Sequence, residues 1–354
     1  MKGSGTMRSV RSQSYDSKAK TKNKSKKMRN QILIATAALT TVAVAFKVTE
    51  RMIGNYFYRL AIAREDSPHR KNLDPAVSTD KISLKMQERI NERKAVKEHF
   101  LKQCPPTDVF MHAFDGLKLH AYRFVPHPDK HRWIVLLHGY MDEASYMFYY
   151  ASVFADHNFN ALVPDLRGAG QSEGDYIGMG WNDRLDVVGW VNQIKKWDSQ
   201  ARIVILGVSM GGATAMMTAG EELPDHVACI VEDCGYTSVA DEFAYELRNL
   251  FRLPSFPVLR FADRVTRSRA GYGIFAASAV EQLKKAKVPI LFIHGEKDTF
   301  VPTSMVHRVY EAAAGEKELL LVKNATHAAS SLAEPDLYFS TIFRFLEKHM
   351  SIGK

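Results

Sequence analysis

The chain is 354 residues long, room for one large α/β domain of about 250 residues or for two ordinary domains. With 46% hydrophobic and 25% charged residues, its composition is that of a globular protein and excludes a disordered or disulfide-stapled chain. The net charge of +9 belongs wholly to residues 1–29, which carry ten Lys and Arg against the single acid Asp16, so the remaining chain is neutral and gives no sign of a nucleic-acid-binding body.

After this basic tail, residues 30–46 (NQILIATAALTTVAVAF) hold no charge between Arg29 and Lys47. These 17 uncharged residues come near the short limit for a membrane-spanning helix. Residues 30–47 are therefore expected to form a single-pass anchor in the cell membrane. The positive run before them predicts a cytoplasmic N-terminus, with the body on the extracytoplasmic side. A second reading stands beside it: Ala43-Val44-Ala45 resembles a signal-peptidase site, which implies secretion after cleavage near Ala45. The anchor is favoured because the apolar run exceeds the roughly 7–15 residues typical of signals.

Residues 48–104 read as a helical linker. Within it, MIGNYFYRLAIA (52–63) suits either the membrane interface, where Tyr sits well, or a helix packed on the following domain. Residues 80–102 predict a charged helix with an apolar stripe of Ile82, Met86, Ile90 and Val96. Cys104-Pro105-Pro106 ends it and marks the boundary of a domain at 105–354. Cys104, Cys229 and Cys234 are expected to be thiols. Five residues along a strand span roughly 16 Å, too far for Cys229 and Cys234 to pair, since a disulfide needs Cα atoms within about 7 Å.

From residue 107, short apolar runs alternate with helical patterns, as in a largely parallel sheet covered by helices on both faces. Eight strands are expected. Val109–Phe114 and Lys118–Val125 form a hairpin about Asp115-Gly116. Trp133–Leu137, Ala161–Val163, Arg202–Leu206, Val227–Val231, Pro289–Ile293 and Glu318–Val322 follow, mostly continuous apolar runs of the kind buried parallel strands require. Helices are expected at 143–158, 181–197, 210–223, 304–314 and 335–349, the second with Trp181, Leu185, Val188 and Val191 as its buried stripe. About 236–286, the chain is longer than a crossover needs and predicts a small helical cap over the strand ends.

Gly207-Val208-Ser209-Met210-Gly211 follows a strand and opens a helix, the context a G-x-S-x-G nucleophile elbow demands. A serine hydroxyl needs a base that a third group holds in the correct tautomer. Both partners are expected downstream, at later strand ends, in the order acid then histidine. Asp298 follows Pro289–Ile293 and His327 follows the last strand, which makes them the candidate acid and base; Asp233, just past Val227–Val231, is the rival acid. Donors for an oxyanion are expected from the N–H of Met210 and that of Tyr140 in His138-Gly139-Tyr140. His138 is expected to pack beneath that loop. The loop DLRGAGQSEG (165–174) lacks the phosphate-binding pattern and reads as structural, and the aromatic run Tyr146, Phe148, Tyr149 and Tyr150 reads equally as core or pocket wall. No metal-ligand or dinucleotide fingerprint is present.

Taken together, HGY, PDLRGAGQSEG, GVSMGG, PILFIHGEKDTFVP and NATHAAS resemble the α/β-hydrolase superfamily from about residue 107 to 350, and within it the Bem46-type and serine aminopeptidase-like hydrolases. The resemblance implies an α/β-hydrolase fold, Ser209, Asp298 and His327 as the triad, Tyr140 and Met210 as oxyanion donors, and esterase or related acyl-hydrolase activity without a cofactor. Ser209 excludes the superfamily's aspartate-nucleophile members. The expected substrate is a small-molecule or lipid-like acyl compound. A peptidase or thioesterase would use the same groups, and a non-catalytic binding protein on this fold is the reading from another class.

Overall fold

The computed structural model describes residues 7–64 and 84–350. The chain divides into two compact units, Met1–Ile53 and Gly54–Lys354. A single helix, α1 (Met7–Ala61), runs through the first and supplies the opening turns of the second. Lys22–Ala61 is long and apolar enough to cross a membrane, with a mean hydropathy of 1.9 in its most apolar window, and its residues 22–49 are exposed. Thr36, Thr40, Thr41 and Thr49 each donate their hydroxyl to the carbonyl four residues back, at 2.8–3.0 Å. Such bonding satisfies polar side chains without water.

In the second unit, the described residues form one eight-stranded sheet: β1 (Thr107–His112), β2 (Lys118–Phe124), β3 (Arg132–Leu137), β4 (Asn160–Pro164), β5 (Arg202–Val208), β6 (Val227–Asp233), β7 (Ile290–Gly295) and β8 (Lys317–Val322). The spatial order is β1-β2-β4-β3-β5-β6-β7-β8. β1 and β2 pair antiparallel, β2 meets β4 antiparallel, and β3 to β8 are parallel. This is the α/β-hydrolase fold expected above. Side chains alternate across a sheet: Ile134, Leu136, Val204 and Leu206 pack with Phe154 of α3 (Phe148–Ala155) and Ile342 and Phe345 of α11 (Pro335–Met350). The intervening Trp133, Val135 and Ile205 are as deeply buried and are covered from the other face, where α5 (Met210–Ala219) and α4 (Asp183–Trp197) lie. Phe148 and Tyr150 join the core, whereas Tyr146 is exposed.

The compact unit begins at Gly54, not at the boundary expected near residue 105. Tyr58, Leu60, Ile62 and Ala63 are buried; the Ile177 N–H donates to Ile62 O at 2.7 Å, and the Arg64 N–H to Asp175 O at 2.9 Å. Further on, α2 (Leu84–Gln103) packs Phe100 against Phe124, with ring centroids 5.2 Å apart. Its Arg89 donates to Leu332 O at 2.8 Å, and Arg93 donates to Ser331 O. Of the stripe expected on this helix, Ile82 lies outside the described residues, and Ile90 and Val96 are exposed: the helix is held by these arginines and by Phe100.

The buried face of α4 also differs from expectation. Trp181, Leu185 and Val188 are only half-buried; Asp183, Asp186, Val187, Trp190, Val191 and Ile194 point inward. The cause is Arg167, whose fully buried guanidinium pairs with Asp186 and, at 2.5 Å, with Asp115. Asp183 meanwhile accepts from the Gly180 and Arg167 N–H groups at 2.8 and 3.2 Å. An ion pair thus draws Asp186, and two backbone N–H groups draw Asp183, to the face that hydrophobic periodicity assigns to apolar residues. Arg167→Leu should leave the Asp186 carboxylate buried without its cation and destabilise the protein by about 3–5 kcal/mol, read as a lowered midpoint of chemical unfolding.

Between β6 and β7 lie α6 (Val239–Phe251), α7 (Val258–Ala270) and the short α8 (Ala279–Leu283), the helical insertion expected at 236–286. The Ser238 hydroxyl caps α6 by accepting from the Asp241 N–H at 3.0 Å.

Candidate active site

β5 ends at Val208 and α5 begins at Met210, so Ser209 makes the whole turn, at φ 57° and ψ −118°. A non-glycine residue seldom occupies that region. Its backbone is pinned by the Ser209 N–H donating to Asp233 O at 2.7 Å. A side chain at Gly207 would overlap Gly211 O, and one at Gly211 would overlap Leu137 O, so both positions need glycine for the helix to close on the sheet.

Ser209 Oγ lies 2.8 Å from His327 Nε2, and His327 Nδ1 lies 2.8 Å from Asp298 Oδ2. With Nδ1–H donating to the carboxylate, Nε2 keeps its lone pair toward the serine hydroxyl. Asp298 Oδ1 also accepts from the N–H groups of Phe300 and Val301, each at 3.0 Å. Burial would raise the Asp298 pKa, but hydrogen bonds from His294 and His327 outweigh it and hold the carboxyl below its ordinary range. Asp233 is buried, makes no hydrogen bond to His327, and is pushed up to about 6 chiefly by desolvation. Of the two acids weighed from the sequence, the structure brings Asp298 to the imidazole.

Tyr140 lines the same cavity as Ser209, and its hydroxyl donates to Ala61 O at 2.8 Å. Met210 opens α5, so its N–H belongs to the first turn, where no helix carbonyl accepts it. His138 is fully buried below the loop: its Nδ1 meets Gly139 O at 2.8 Å and its Nε2 accepts from the Leu166 N–H at 3.0 Å. Burial lowers its pKa, so it acts as a neutral brace that fixes the course of residues 138–140.

The cavity over Ser209 has a volume of about 100 Å³ and opens to solvent. Phe57, Leu60 and Ala61 of α1, Leu247, Leu250 and Phe251 of α6, and Leu259 of α7 make it apolar, while Glu242 and Glu246 are its two carboxylates. Sequence reasoning missed three components of the site. The α1 wall reads from the sequence only as a packed or interfacial helix, and nothing in the sequence singles out His294, which lies outside the cavity and hydrogen-bonds Asp298. The signal for the glutamates was their spacing, since 242 and 246 share one face of a helix with Phe243 and Leu247.

Cys234 Sγ, an Asp298 oxygen and a His327 nitrogen lie within 4.8 Å of one another, a spacing that a metal ion could use. The donor set does not suit one: burial, together with Asp233 and Asp298, raises the Cys234 thiol well above its ordinary pKa, and a thiol must ionise to ligate.

Comparison with known proteins accords with this geometry. A family profile described as "alpha/beta hydrolase fold" matches residues 132–264, and one described as "Dienelactone hydrolase family" matches residues 257–336. The protein YqkD of Bacillus subtilis (strain 168) is 31% identical over 271 residues, which cover 75% of this chain and 88% of YqkD. Among solved structures, the Pyrococcus furiosus esterase Pf2001 superposes with a TM-score of 0.59 at 22% identity, over 70% of this chain and 93% of its own. The Pyrococcus horikoshii acylaminoacyl peptidase gives a TM-score of 0.55 at 18% identity, over 73% and 44% respectively.

Proposed function

Because this chain belongs to the α/β-hydrolase superfamily and is a hydrolase, we propose that it cleaves carboxylic esters through an acyl-enzyme on Ser209. The observation that carries this reading is the continuous Ser209–His327–Asp298 hydrogen-bond chain, at 2.8 Å in each link. In the first step His327 Nε2 takes the Ser209 proton as Oγ bonds to the ester carbonyl carbon. Asp298 stabilises the imidazolium, and the N–H groups of Met210 and Tyr140 receive the oxyanion. His327 then returns the proton to the departing alkoxide, leaving the acyl group on Ser209. In the second half, His327 deprotonates a water that releases the acid, and Ser209 regains its proton. No cofactor enters these steps.

The apolar cavity favours a small-molecule or lipid-like acyl substrate over a nucleic acid. A peptidase or thioesterase reading uses the same groups. A fluorophosphonate probe should leave one adduct on the full chain, mapped to Ser209; a native protein that takes no adduct would instead be a binding protein on this fold.

The apolar stretch of α1, with its internally bonded threonines, supports a single-pass anchor, and the basic run before it supports a hydrolase body on the extracytoplasmic side. The full chain should sediment with membranes and resist alkaline carbonate extraction. Recovery of mature chains that begin at Phe46 would establish a cleaved signal in its place.

A further inference from the structure

Glu242 is 4% exposed and lines the cavity that holds Ser209, yet neither of its carboxyl oxygens meets a hydrogen-bond partner among the described residues. An unsatisfied buried carboxyl is costly, and a helix could carry a leucine at that position without this cost. Glu246 lies one turn further along α6 and lines the same cavity, so the two side chains project from one face. The lining contains no Lys, Arg or His. The charged groups that act on Glu242 are Glu246, Asp298 and Asp241, all acidic. Arg308, paired with Asp241 at 3.0 Å, is exposed.

We propose that Glu242 and Glu246 form a subsite for a primary ammonium group, so that the enzyme's substrate is an ester whose apolar chain carries an amine. The proposal rests on the reading of Ser209 as nucleophile, since the carbonyl must lie at Ser209 while the amine is held at α6. The chemistry of the lining selects this ligand. An ammonium brings three donors and a positive charge to a wall whose two carboxyls have no cation beside them in the lining, whereas a hydroxyl answers the hydrogen bonding alone. A divalent cation would need six or more oxygens, more than two carboxyl groups supply. Desolvation keeps both carboxyls protonated more readily than usual, Glu246 up to about 7 and Glu242 well above its ordinary value. The empty pocket thus carries little charge, and an arriving ammonium ionises the pair, with the protons passing to solvent.

The test measures binding apart from turnover. Calorimetry on full-length Ser209→Ala protein compares n-hexylamine with n-hexanol, two probes of equal length. Hexylamine should bind about tenfold more tightly, the worth of one charge-assisted hydrogen bond. Glu242→Gln combined with Glu246→Gln should bring the amine down to the alcohol's affinity, and Glu246→Gln alone, at the less buried position, should remove part of the difference. Equal binding of both probes to the Ser209→Ala protein, or an amine preference that survives the double substitution, would overturn the subsite. Amine-selective binding by a chain that hydrolyses no ester would keep the subsite and remove the catalytic reading; ester hydrolysis with no amine preference would do the reverse.

Discussion

Ser209→Ala should lower ester turnover by on the order of a millionfold in kcat, measured with short-chain p-nitrophenyl esters, and should abolish the fluorophosphonate adduct. The size of the loss follows from the geometry. With Oγ removed, His327 Nε2 has no alcohol to deprotonate, and water must attack without the covalent intermediate. Some rate above that in water should persist, because the Met210 and Tyr140 N–H groups and the apolar cavity still bind the transition state. The fold should survive, since the elbow is fixed by the Ser209 N–H to Asp233 O bond and by Gly207 and Gly211, none of which involves the hydroxyl. A variant that turned over esters at the parent rate would defeat the acyl-enzyme reading.

Asp298→Asn should cost about 10⁴-fold in kcat while leaving KM for short esters nearly unchanged. The amide is isosteric, but it can present its NH₂ to His327 Nδ1. That reverses the tautomer and turns the Nε2 lone pair into a donor facing Ser209. Asp233→Asn is the matched control: its carboxyl makes no bond to His327, so its effect on kcat should be far smaller. The same carboxylate gives a pH dependence. Its folded-state pKa lies below the ordinary Asp value, so Asp298 contributes stability that is fully present above the unfolded pKa and is lost as pH falls through the folded one. In Asp298→Asn that part of the acid-induced loss should disappear, as followed by unfolding midpoints between neutral pH and about pH 3.

The sheet and the convergence of Ser209, Asp298 and His327 were readable because each depends on local signals: apolar runs of strand length, glycines at a turn that tolerates nothing else, and polar residues just past strand ends. What escaped the sequence depends on partners distant along the chain. The inward face of α4 could not be read from periodicity, since Asp186 turns inward to meet the Arg167 guanidinium and Asp183 to accept from the Gly180 and Arg167 N–H groups. Residues 54–63 carried the pattern of an interfacial helix and of a packed one alike. Their burial against residues 175–177 rests on a long-range pairing, Ile62 with Ile177 and Arg64 with Asp175. The burial of Glu242 carries no local signal, because its exposure is set by cavity walls drawn from three separate helices.

The hydroxyl of Tyr140 is tethered to Ala61, and Phe57 and Leu60 stand in the wall above Ser209. Residues 57–61 are therefore a wall of the cleft and a tether for Tyr140. Trimming at Phe46 would keep that wall, whereas a cut that removed residues 57–61 would strip it from the cleft and free the Tyr140 hydroxyl. The place where the polypeptide is shortened thus decides whether the cleft over Ser209 keeps its apolar side.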